Sequence, residues 1–306
     1  MLKLKRAGQL FITLFFVLGG NSIFANEVEL LDNKKYELSI CAVLKNEERF
    51  IKEWIEYHCL AGVDHFYLYD LKSRDASRSI IAPYVEEGIV TLVDWPDNVK
   101  GISDENSSLW ILSNQLPAYE NAIKKAVSES KWLVIVDVNE FLTSSGTNIK
   151  DVLEKYDHCA GLILTSECFD AFQNEVIPNK LLIQSTEITQ LPKRDKRKEV
   201  TKTIFKPELC TAFVWPPYQV VFKNLQTAQT LSKQEMRVNH YINREPEAIF
   251  YAKKKPKLEI DSHFVSEEEI NRCLSMDFVL EDQEKAIHRF VPQMLSKMGY
   301  EQENRW

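Results

Sequence analysis

The sequence predicts an α/β protein built on a doubly wound, mostly parallel sheet. Three observations carry that expectation. Continuous apolar runs of strand length recur along the first half of the chain, segments with helical apolar spacing alternate with them, and acidic or amide side chains stand just past two of the strands. Leu38 to Leu44 is such a run, as expected for a strand buried on both faces. Phe50, Ile51, Trp54, Ile55, His58 and Cys59 then recur at helical spacing, and Gly62 ends that helix. Phe66 to Tyr69 reads as the second strand. Ser77 to Glu87 reads as a helix that Pro83 should kink or shorten, and after Gly88 the run Val90 to Val93 gives the third strand. Leu116 to Val127 reads as a helix and Trp132 to Val136 as the fourth strand.

After about residue 160 the pattern changes to short strands: Leu162 to Thr165, Leu181 to Ile183 and Thr201 to Phe205. Glu267 to Leu280 and Glu281 to Met298 read as closing helices. The expected organisation is a leader over 1–25 and one domain over 26–306. Within it, 37–160 forms a first half and 161–306 a second half with the closing helices. The chain shows no internal repeat and no low-complexity segment.

Composition narrows the class. A chain of 306 residues suits one large α/β domain or two modest ones, and 44% apolar with 27% charged residues excludes disordered and fibrous proteins. A net charge of -7 makes nucleic acid and anionic lipid surfaces poor generic partners. The basic runs Lys193 to Lys198 and Lys253 to Lys257 read first as solvated loops and only second as phosphate or head-group contacts. Lys3, Lys5 and Arg6, then the apolar stretch Leu10 to Leu18, then Ile23-Phe24-Ala25, have the layout of an export signal. That stretch falls short of the about 20 residues a span needs. The expectation is export (periplasmic, lumenal or secreted). The alternative is an uncleaved anchor that would associate the chain with a membrane. All six cysteines follow this segment, which permits disulfides. Cys41 in a buried strand and Cys59 on an apolar helix face also read as small hydrophobes.

Two clusters carry the chemistry. The first runs through Lys45-Asn46-Glu47, Glu53-Trp54, Tyr57-His58, Gly62-Val63, Tyr69-Asp70 and Ser73 with Asp75; the second is Asp137-Val138-Asn139-Glu140-Phe141, preceded by Gln115, Tyr119 and Trp132. In an open α/β sheet, the edge beyond the strand ends is where ligands bind. These two blocks, with a late Val238-Asn239-His240-Tyr241 followed by Lys253, come in one order over roughly residues 37 to 257. Together they resemble the GT-A glycosyltransferases related to family 92. The resemblance implies a GT-A fold whose second half faces the acceptor. It further implies inverting transfer of a hexose from a nucleotide diphosphate sugar to a glycan, lipid-linked saccharide or protein-bound acceptor, assisted by Mn²⁺ or Mg²⁺.

The resemblance assigns donor contacts to Lys45, Asn46, Glu47, Asp70, Asp75 and Glu140, and metal contacts to Asp137, Asn139 and His240. Physics supports these residue types, because a leaving diphosphate gathers charge that a hard, oxygen-ligated cation would neutralise. Asn139 departs from the family's D-x-D-E-F and removes one negative charge. For the general base that inversion needs, Glu167 and Asp170 are the candidates, in a segment that differs from the family's W-x-x-F-G run. Strand ends also place aspartates in turns and helix caps, and His58 on an apolar face reads as a packed structural histidine. A degenerate member that binds sugar or nucleotide without turnover is the alternative reading. No G-x-G-x-x-G, P-loop, G-x-S-x-G or H-E-x-x-H occurs, so oxidoreductase, kinase, serine hydrolase and zinc protease chemistries lack their local devices.

Overall fold

A computed structural model describes residues 34–96, 111–146, 148–170, 181–184, 201–214, 219–242 and 285–300. The leader, the two basic runs, Cys273 and the Glu267 to Leu280 helix lie outside these residues.

Strand β1 (Tyr36–Leu44) is buried along almost its whole length. Its apolar residues alternate between two cores, as a strand covered on both faces requires. Leu38, Ile40, Ala42 and Leu44 face helix α1 (Ile51–Ala61) and helix α2 (Ser77–Glu86). Cys41 and Val43 face helix α3 (Leu116–Glu129), which presents Ala118, Tyr119, Ala122 and Ala126. Helices on both faces of one sheet make the fold doubly wound. Trp54, Tyr57, Trp132 and Phe141 are fully buried, and burying a side chain of this class stabilises by about 1.5–3 kcal/mol.

β1 pairs in parallel with β2 (His65–Asp70) on one side and with β4 (Ser130–Ile135) on the other, and β2 pairs in parallel with β3 (Val90–Asp94). The second half of the chain joins the same sheet. β7 (Thr201–Phe205) lies antiparallel between β4 and β6 (Gly161–Asp170), followed by β11 (Met236–Ile242) and β5 (Glu140–Ser144). β10 (Ala228–Thr230) adds to β6, which gives nine strands among the described residues, while β8 (Cys210–Val214) and β9 (Gln219–Phe222) form a separate hairpin.

The helix signals behave as their chemistry requires. Gly62 closes α1 in the left-handed region at φ 107°, and its N–H donates to the Cys59 carbonyl at 3.1 Å. Asn148 caps helix α4 (Ile149–Lys155) by accepting from the Lys150 N–H at 2.9 Å. α2 runs through Pro83 and stops three residues later. Two expectations need correcting. Leu181 to Ile183 is not a strand: Leu182–Gln184 is a 3₁₀ turn, because the N–H groups of Leu182 and Ile183 donate to the buried Glu53 carboxylate (2.9 and 3.1 Å) instead of to a sheet. The single helix expected over Glu281 to Met298 is, where described, two pieces: α5 (Lys285–His288) and α6 (Val291–Met298). Pro292 in the first turn of α6 cannot continue a preceding helix. The five described cysteines are free thiols. No helix among the described residues is long and apolar enough to cross a membrane.

Candidate functional site

From β1 the chain moves outward to β2 and β3, then returns to β4 on the other flank. The C-terminal ends of β1 and β4 therefore border the crevice where the strand order reverses, which is where open α/β sheets bind ligands. Leu44-Lys45-Asn46-Glu47 leaves β1 on one side of it, and Val136 to Glu140 leaves β4 on the other. The Val136 N–H donates to the Cys41 carbonyl at 3.2 Å, which holds the second segment beside β1.

On the β4 side, Asp137 to Glu140 is a tight turn. The Glu140 N–H donates to the Asp137 carbonyl at 2.9 Å, and the Glu140 carboxylate accepts from the Asp137 N–H at 2.8 Å. α1 braces it from below: Trp54 Nε1 donates to the Glu140 carbonyl at 2.8 Å, and Tyr57 donates to the Leu142 carbonyl at 2.8 Å. His58 accepts from the Leu142 N–H at Nε2 (3.1 Å) and donates from Nδ1 to the Trp54 carbonyl (2.8 Å). Burial pushes the His58 pKa down to about 3, so it is neutral, and the expected packed histidine is what the structure contains.

Asp137 keeps its side chain one-third exposed at the crevice, whereas Glu140 is buried. Lys202 of β7, itself 1% exposed, places its ammonium 2.6 Å from Glu140 Oε2 and 3.6 Å from Asp137 Oδ2. Asn139 Nδ2 donates to His240 Nε2 at 3.1 Å, and strand pairing sets Glu140, His240 and Cys168 abreast across β5, β11 and β6. Asp137, Asn139, Glu140 and His240 are thus one group, with Lys202 beneath it.

On the β1 side, Asn46 adopts φ 57°, a left-handed conformation that its short amide tolerates. Its N–H donates to Ser73 Oγ and its Oδ1 accepts from the Arg74 N–H, both at 2.9 Å. Asp75 Oδ2 accepts from the Glu48 N–H at 2.9 Å, and its Oδ1 accepts from Ser77 N (3.0 Å) and Ser77 Oγ (2.6 Å). Partial burial raises the Asp75 pKa, but these hydrogen bonds outweigh it and hold the carboxyl below its usual range. Asn46, Glu48, Arg49, Arg74 and Asp75 line an open cleft of about 510 Å³. Lys45 and Glu47 stand at the same edge, and the Glu47 carbonyl starts α1 by accepting from Phe50 and Ile51.

The remaining expected residues are placed differently. Asp70 is buried at the end of β2, where it accepts from the Ser73 N–H (3.1 Å) and pairs with Arg78 Nη1 (2.6 Å), so its carboxylate closes a turn. Glu167 pairs with Asn239 in register, one position out of step with Cys168 and His240, and so lies on the other face of the sheet. There it is tied to Arg237 Nε (3.1 Å) and Lys233 Nζ (3.5 Å). Asp170 is in register with Ile242 at the end of β6. Lys202, Arg49 and Arg74 were not anticipated. The signal for Lys202 is a lone lysine inside the strand Thr201-Lys202-Thr203-Ile204-Phe205, where one face must be buried.

The divalent ion that the resemblance implies fits this residue set poorly. Among the described residues no three His, Cys, Asp or Glu side chains group closely enough to hold a metal. Asp137 is the one exposed carboxylate of the turn and already faces an ammonium, and the Asn139 amide is engaged with His240.

The glycosyltransferase family 92 model matches residues 34–278. A family 92 protein of Ricinus communis is 27% identical over 130 residues, which is 42% of this chain and 21% of the relative. One of Oryza sativa subsp. japonica is 27% identical over 125 residues, 40% and 19% respectively. The chain spans about a fifth of the length of these relatives. Among solved structures, S. aureus TarS is similar at TM-score 0.40 and 14% identity, over 85% of this chain and 44% of that one. Glucosyl-3-phosphoglycerate synthase from Mycobacterium tuberculosis, in complex with Mn²⁺, UDP-glucose and phosphoglyceric acid, is similar at TM-score 0.34 and 14% identity, over 88% and 82%. The crevice, the two residue blocks that border it and the extent of the match make this α/β chain a member of glycosyltransferase family 92.

Proposed function

We propose that this chain transfers a hexose from a nucleotide diphosphate sugar to a glycan or glycoconjugate hydroxyl, with inversion. The observation that carries the reading is the strand order, which sets the end of β1, with Asn46 and Arg49, beside the end of β4, with Asp137 and Asn139, where that order reverses, while Arg74 joins Asn46 and Arg49 in one cleft from the loop after β2. Guanidinium groups suit phosphate oxygens, and a carboxylate beside an amide suits sugar or ribose hydroxyls. In this reading Arg49 and Arg74 hold the diphosphate, and Asp137 and Asn139 orient the sugar by accepting from its hydroxyls. The acceptor oxygen attacks the anomeric carbon opposite the diphosphate, the glycosidic bond to phosphate breaks, and the hydroxyl proton passes to a carboxylate. Glu167 is engaged on the other face, so Asp170, at the end of β6, is the base in this scheme.

Export through the N-terminal segment is part of the proposal, and it demands a compartment that supplies nucleotide sugar. The test is release of nucleoside diphosphate from a panel of UDP- and GDP-sugars by the wild type and by Asp137→Ala. The expected loss in the variant is about 100-fold or more with an unchanged circular dichroism spectrum. An equal rate in both would remove Asp137 from the mechanism. A wild type that binds these donors without turnover would favour the binding-only reading.

A further inference from the structure

We propose that Lys202 is the resident counter-cation of this site and that a nucleoside diphosphate binds here without a divalent ion. The proposal rests on the transferase reading above. A hard divalent cation held by few protein ligands needs concentrated negative charge and accessible lone pairs. This site offers one partly exposed carboxylate, Asp137. Glu140 is 2% exposed and neutralised by the Lys202 ammonium at 2.6 Å. The same ammonium is 3.6 Å from Asp137, so a divalent ion on that carboxylate would sit within reach of a buried positive charge that cannot be diluted by water. Asn139 carries no charge, and its amide N–H occupies the His240 Nε2 lone pair that would ligate a metal.

Positive charge for the phosphates is instead built into the chain. Arg49 and Arg74 line the cleft beyond β1, and the two carboxylates that share it are engaged by backbone amides: Glu48 by Ala76 at 2.7 Å, and Asp75 by Glu48 and Ser77. Those amides fix the two carboxylates in place while they stay charged, and the guanidiniums are the cleft groups whose planar forks match phosphate oxygens. Lys202 complements them by cancelling one of the two carboxylate charges of the Asp137–Glu140 turn, which lowers its repulsion of the diphosphate.

The experiment is calorimetry on the full chain with UDP, GDP, ADP and CDP, first in EDTA and then in Mn²⁺. At least one nucleotide is expected to bind in EDTA with a Kd within about threefold of its value in Mn²⁺. A Kd that weakens about tenfold or more in EDTA and recovers with Mn²⁺ would overturn the proposal while leaving the transferase reading intact. Absence of binding by all four in both conditions would remove the transferase reading and the proposal with it. Because Lys202→Gln alone leaves Glu140 buried and unpaired, the companion variant is Lys202→Gln with Glu140→Gln, its folding checked by thermal melting. In that variant the net charge of the turn is unchanged but the ammonium 3.6 Å from Asp137 is gone, and Mn²⁺ is expected to tighten the nucleotide about tenfold, an effect absent from the wild type. The same indifference to Mn²⁺ in both proteins would show that Lys202 is not what sets it.

Discussion

Asp137 reaches the crevice because Glu140, three residues on, turns inward and holds the Asp137 N–H while Lys202 neutralises it. A pair of acids with opposite fates is the logic of this turn, one exposed and chemical, the other buried and structural. Glu53 shows the same inward use of charge. Burial raises its pKa to about 7, against the lowering effect of the Leu182 and Ile183 N–H groups. Its folded pKa lies above the ordinary 4.5, so its contribution is fully present below pH 4.5 and is lost as pH rises through about 7. Glu53→Gln removes this titration, so from pH 5 to 8 the variant should lose less stability than the wild type, by a few kcal/mol at most. Comparing the two proteins matters, because neutral buried His58 works in the opposite sense as pH falls below 6.5. Equal slopes in urea titrations across that range would contradict the assignment. At this scale the acids were legible in the sequence, since an apolar strand followed by Asp and Glu announces a strand-end turn. Lys202 was not, because a lysine in a short strand reads as surface until the sheet order places β7 beside β4.

Helix α1 is the element on which the site stands, and its C-terminus and its middle are fixed by different chemistry. At its C-terminus Gly62 has φ 107°, and a methyl group there would lie 2.1 Å from Asn148 Oδ1, the side chain that caps α4. Gly62→Ala therefore meets both backbone strain and a clash, and should destabilise by about 2 kcal/mol or more in urea melts. A neutral effect would mean that α1 and α4 can part without cost. In its middle, Trp54→Phe keeps the apolar mass but leaves the buried Glu140 carbonyl without its donor, a loss of about 1–3 kcal/mol. That variant should also weaken donor binding, because the Asp137 turn loses its brace; a stability loss with unaltered Kd would separate the brace from the site. Helical spacing in Phe50 to Cys59 and the stop at Gly62 made α1 readable in advance. The misreading of Leu181 to Ile183 is equally instructive. An apolar triplet suits strand and turn alike, and the deciding partner, Glu53, is distant in sequence and visible only once the chain is folded.

Over the whole molecule, the alternation of strands and helices through residue 136 was sufficient to foresee a doubly wound sheet, because β1, β2 and β3 pair in sequence order and β4 returns to pair with β1. The second half was less legible. β7, β11 and β5 insert antiparallel or out of order, and only long-range pairing decides that both halves share one nine-stranded sheet. That sharing brings His240, Lys202 and Glu140 together from three separate stretches of chain. The central claim is that the donor lies in the crevice between the ends of β1 and β4. A crystal structure of the chain soaked with the nucleoside diphosphate that binds best tests it most directly. The account predicts a diphosphate between the Arg49 and Arg74 guanidiniums and the Asp137 turn. A nucleotide bound at any other face of the sheet, with the Asn46 and Asp137 edges unoccupied, would contradict it.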